Sequence, residues 1–127
     1  MPRWRFWLAM VLVVMMGCAQ KADEVIDQGS ESVDSWGKTL EMVCGQWAEE
    51  RVPTLYVKQM MKAGEEALGK QLRELEKVGA NQGAQKVIRR IHRVRFWIEQ
   101  NEGKLGDADA MKRAEILAAL KSAREGP

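Results

Sequence analysis

The stretch Ala84-Gln-Lys-Val-Ile-Arg-Arg-Ile-His-Arg-Val-Arg-Phe-Trp-Ile98 decides the fold. Ala84, Val87, Ile88, Ile91, Val94 and Ile98 recur at steps of three and four, the spacing of one helix face, while lysine and arginine fill most intervening positions. Such a face must be buried against other elements, and no segment of the chain alternates as a strand would. The flanking segments read the same way. Gly79 suits a helix C-terminal cap, and Asn81-Gln82-Gly83 forms a short turn before this helix, which continues to about Asn101.

Upstream, Pro53 cannot continue a helix but fits the first turn of a new one, which then extends to about Val78. Its expected inward set is Leu55, Tyr56, Met60, Ala63, Ala67, Leu68, Leu72, Leu75 and Val78. Gly64 and Gly69 weaken it by roughly 1 kcal/mol each relative to alanine, unless they mark a close crossing. An earlier helix, from Ser32 or Asp34 to Arg51, carries the stripe Val33, Trp36, Leu40, Val43, Cys44 and Trp47. After Gly103 and Gly106, a last helix spans about 108 to 124, capped by Asp107 or Asp109, with Met111, Ala114, Ile116, Leu117 and Leu120 inward. The expected fold is all-α: a small antiparallel up-and-down bundle of three long helices plus a terminal one.

Several chemistries lack material. The chain holds a single histidine, His92, and two cysteines, Cys18 and Cys44. No cysteine pair, His-Glu motif or carboxylate loop has metal-ligand spacing, and no glycine loop is followed by the Lys and Ser or Thr of a phosphate site. Glu49-Glu50 and Glu65-Glu66 are helix neighbours pointing about 100° apart. An enzyme would need Glu49 or Glu50 folded against His92, and nothing in the spacing asks for it. No catalysis, catalytic residue, metal or dissociable cofactor is expected. Cys44 sits on the apolar stripe and reads as a buried core residue.

Charge is unevenly spread. Cys18 to Glu50 holds eight acids and two bases, whereas Arg51 to Lys104 holds twelve bases and six acids. Lys86, Arg89, Arg90 and Arg93, with Arg95, form a basic band ending at Trp97, and Arg89, Arg93 and Trp97 share one face at four-residue steps. Either acids such as Glu31, Asp34 and Glu41 neutralise this band, or it faces a partner: anionic lipid, an acidic protein or a cell-wall polymer. Nucleic acid is not expected.

The amino terminus carries the most specific motif. Arg3 and Arg5 precede an uncharged run that ends Val14-Met15-Met16-Gly17-Cys18, and this layout resembles the signal peptide of bacterial lipoproteins. Gly17 fits that family; Met15 and Met16 stand where it usually carries Leu and then Ala or Ser. Fifteen uncharged residues separate Arg5 from Lys21, short of the roughly 20 that a spanning helix needs. The alternative is a secretory signal, uncleaved or cleaved in the ordinary way. The resemblance implies cleavage before Cys18, a diacylglyceryl thioether and an N-acyl chain (palmitate) at Cys18, and a location facing the periplasm or exterior of a bacterial cell envelope. Ala19 favours the outer membrane over the inner where there are two.

The expected organisation is then a signal peptide over 1–17, an acidic tether or weak helix over 18–31, and a bundle domain over 32–127. Loss of Arg3 and Arg5 leaves 18 bases against 18 acids, so total charge attracts no polyanion. The expected function is that of a lipid-anchored envelope module working by protein–protein interaction as scaffold, adaptor or inhibitor. The alternative is an envelope protein that binds anionic lipid or cell-wall polymer through the basic band.

Overall fold

The computed structural model describes residues 4–79 and 81–125, with side chains from Lys21 onward. Four helices follow one another: α1 (Trp4–Ala48), α2 (Thr54–Glu76), α3 (Gln82–Asn101) and α4 (Ala110–Glu125), with a 3-10 segment, Glu102–Asp107, before the last. No strand occurs among the described residues, and the all-α bundle read from the sequence is what forms.

Neighbouring residues fix the topology. The position of Gly29 on α1 lies against Leu75, Gly64 of α2 lies against Trp36 and Leu40, and Trp47 bonds to Thr54, so α1 and α2 are antiparallel. Helix α3 turns back beside α1, with Ile26 next to Gly83 and Gly29 next to Val87. Helix α4 descends again, joined to α1 by Arg113 at Trp47 and by Arg124 at Gly37 and Glu41. Being only 16 residues long, α4 ends beside Val33 and Asp34 and leaves the lower part of α1 uncovered. The bundle has four helices at its upper end and three below.

The stripe on α3 is buried as expected: Ala84, Val87, Ile88, Ile91, Val94 and Ile98 all enter the core. On α1, Val33, Leu40, Val43, Cys44 and Trp47 are buried and Trp36 is partly so. The start expected at Ser32 or Asp34 is corrected, because α1 is already helical through 21–31. That part, read as a tether or weak helix, packs Val25 and Ile26 against the core and buries Gly29. Two β-branched residues and one glycine supply its packing, too few to read as a stripe.

On α2 the inward face differs from the sequence reading. Val57, Met61, Gly64, Leu68, Gly69, Leu72 and Leu75 are buried, while Leu55 is 65% exposed and Tyr56 40%. Large side chains near the start outweighed a glycine in the pattern, yet Gly64 holds a core position. A Cβ there would lie 3.1 Å from Trp36 Cε3. Helix α4 buries Ile116 and Leu120 and leaves Met111 outside, and Leu105 and Ala108 close the core before it.

The ends are capped as the residues allow. Asn81 Oδ1 accepts from the backbone N–H of Gly83 at 2.8 Å and of Ala84 at 3.4 Å, and Asp109 Oδ1 accepts from Lys112 N–H at 2.8 Å. Gly79 takes a φ of +84° just past α2. After α1 the left-handed position falls to Glu50, at φ +61°.

Two substitutions should move stability in opposite directions. Glu50→Gly should stabilise by about 1 kcal/mol, because glycine adopts a left-handed backbone without the Cβ clash. Gly64→Leu should destabilise by about 1–3 kcal/mol through overpacking at Trp36, despite leucine's better helix propensity. Denaturant titration of both variants checks the signs.

Candidate interaction surfaces

The basic band does not survive as one surface. Lys86 and Arg89 are exposed on α3, as read from the sequence. Arg90 is half-buried and donates to Asp34, with a second bond of 3.4 Å to Ser30. Asp34 thus neutralises part of the band. Glu41 pairs with Arg124 instead. Arg93 is half-buried, and Arg95 lays its guanidinium against Gly69, with Nη2 3.5 Å from where a Cβ would be.

Trp97 requires a correction. It is 4% exposed, and its Nε1 donates 2.9 Å to the carbonyl of Ile116, so it is a core residue joining α3 to α4 and is not open to an external ligand. A buried indole needs such an acceptor. The exposed aromatic is its neighbour Phe96, at 62%, four residues after His92. His92, Arg93, Arg95, Phe96 and Glu99 border a shallow hollow made by α3 alone. The cation over an indole is Arg113 above Trp47, 4.5 Å from the ring centroid.

Two further surfaces stand beside the band, the first of which the sequence did not announce. Between α1 and α4 runs an open groove of about 440 Å³, bordered by Met42, Gly45 and Leu117 and rimmed by Lys38, Glu41, Lys121 and Arg124. Met42 is 59% exposed, and a Cβ on Gly45 would meet nothing within 4 Å. The second surface is an acidic row: Asp23, Glu24, Asp27 and Glu31 are all exposed on α1.

Cys18 and the stretch 1–17, read from the sequence as a signal peptide, lie outside the residues whose side chains are described. Among the described residues, no helix is long and apolar enough to cross a membrane, and no group of three His, Cys, Asp or Glu could hold a metal. Glu49 pairs with Arg51 at 3.1 Å in the turn after α1, and His92 stands exposed on α3. No family model matches the chain, and neither a curated protein nor a solved structure matches it.

Burial pushes the Cys44 thiol up from 9.0 to about 12. The unfolded chain therefore releases this proton first, and the stability from a neutral Cys44 is complete below pH 9 and declines as pH rises towards 12. In a Cys18→Ala variant, where Cys44 is the remaining cysteine, a disulfide-exchange thiol reagent at pH 8 should react only on addition of denaturant. Rapid reaction of the native protein would contradict the burial.

Proposed function

We propose that this chain is a non-enzymatic, lipid-anchored module of a bacterial cell envelope that works by binding another envelope protein. The anchor rests on the run ending Gly17-Cys18. The observation that carries the binding role is the groove between α1 and α4, where exposed Met42, half-buried Leu117 and the open space over Gly45 offer an apolar strip between charged rims. An apolar centre bordered by charged residues is the layout that protein contacts share.

The anchor in this reading is a diacylglyceryl group joined to Cys18 by a thioether, with an N-acyl chain on its amino group; each buried methylene contributes about 0.8 kcal/mol, so two or three chains hold effectively permanently. Because α1 is helical across these residues, seven residues from Cys18 to Val25 make a stiff link of about 10 Å. The bundle end that faces lipid is then the one containing the α2–α3 turn. The alternative reading, contact with anionic lipid or wall polymer through α3, draws on exposed Lys86 and Arg89, but Asp34 removes Arg90 from that face.

Two measurements test the proposal. Wild-type protein expressed in a bacterial host should sediment with membranes at the mass of an acylated chain starting at Cys18, and Cys18→Ala should be released; retention of Met1 without lipid would refute the anchor. A photo-crosslinking residue at Met42 should capture an envelope protein that one at Leu55 does not. Equal labelling from both positions would refute the groove as the binding surface.

A further inference from the structure

Helices α1 and α3 run parallel, and their neighbours define heights along the bundle. Ile26 is level with Gly83, Gly29 with Val87, and Asp34 with Arg90. Asp27 therefore stands one to two residues, about 2–3 Å, below Lys86, a gap that a lysine side chain spans, and Glu31 stands level with Ile88 and Arg89.

These charges also share a side of the molecule. Asp23, Asp27, Ser30 and Asp34 fall on one flank of α1 at steps of four and three, and the last two meet Arg90, so this flank is turned to α3. Lys86 lies one turn before Arg90 on the flank of α3 turned to α1. Helix α4 ends beside Val33, Asp34, Arg90 and Val94, at the upper end of this seam, and Asp27 and Lys86 below it are exposed. Its two edges are an acidic row and a basic row, side by side and exposed. Among the described residues, none of Asp23, Glu24, Asp27, Glu31, Lys86 and Arg89 is in an ion pair.

We infer that a second copy of this chain docks on the α1–α3 seam about a two-fold axis parallel to the helices, with Asp27 of each copy facing Lys86 of the other. This rests on the lipid-anchored reading, because two copies held in one leaflet can be related only by an axis along the membrane normal. Rotation about that axis preserves height and exchanges the two rows, so acid meets base at each level. An isologous pairing of this kind needs one patch complementary to itself, and the seam supplies it. Salt screens exposed charges beyond about 8 Å at physiological ionic strength, so the pairing is modest in free solution. Confinement to a membrane surface raises the effective concentration and compensates.

The test uses the full chain in bacterial membranes, with copies carrying donor or acceptor fluorophores at the carboxyl terminus. Energy transfer should exceed that of random crowding. Asp27→Lys or Lys86→Glu alone should weaken association about tenfold, since each places like charges in contact, and the double exchange Asp27→Lys with Lys86→Glu should restore it to within about twofold. Both sites are exposed, and matching thermal unfolding of all four proteins checks that folding is unchanged. Membrane-bound protein without excess transfer, or transfer indifferent to the single reversals, overturns the pairing and leaves the anchor standing. Release of the wild type from membranes overturns the anchor and with it the axis inferred here.

Discussion

The burial of Trp47 is the constraint around which the upper bundle closes. Its side chain is fully enclosed, and a buried indole must pass its N–H to an acceptor, which Thr54 provides at 3.1 Å across the α1–α2 turn. Arg113 stacks on the ring, donates 2.7 Å to the Trp47 carbonyl and reaches the carbonyl of Ala108 at 3.2 Å. One residue thus sets the end of α1, the start of α2 and the entry of α4. The strained backbone at Glu50 is tolerated beside it because the turn has little freedom left.

Below that closure, fit depends on residues that lack side chains. Gly29 admits Leu75 and Val87, Gly37 admits the stem of Arg124, and Gly64 admits the ring of Trp36. At each point a large side chain on one helix takes up the space a Cβ would fill on the other. Helical glycine costs about 1 kcal/mol in propensity, and the packing gained here offsets it.

These residues also explain which parts of the molecule were legible in the sequence. The α3 stripe was read correctly because branched apolar residues recur there without interruption. On α2, Leu68, Leu72 and Leu75 are buried and Met60 and Val78 pack against the core as read, but the start of the face was misread because Leu55 and Tyr56 are louder in a hydrophobic pattern than Gly64 and Gly69, although the glycines hold buried positions. Trp97 illustrates the same limit: its four-residue spacing from Arg93 and Arg89 is real, but only the acceptor at Ile116, 19 residues away, makes it a core residue. The charge imbalance between the chain's two halves was visible, whereas the pairing of Arg90 with Asp34 and of Arg124 with Glu41 depends on tertiary neighbours. The groove beside Met42 had no linear signature, being the gap between two helices distant in sequence.

The shortness of α4 has a dynamic consequence. It holds to the rest of the bundle through Ile116 and Leu120, partly buried Leu117 and Ala123, and two arginines, while the other three helices share a longer common core. Opening it would expose Ile116 and Leu120 and strip the Trp97 N–H of its acceptor, while α1, α2 and α3 would keep the contacts they make with one another. The same helix forms a wall of the groove between α1 and α4. A ligand in that groove would tighten the fourth helix on the other three.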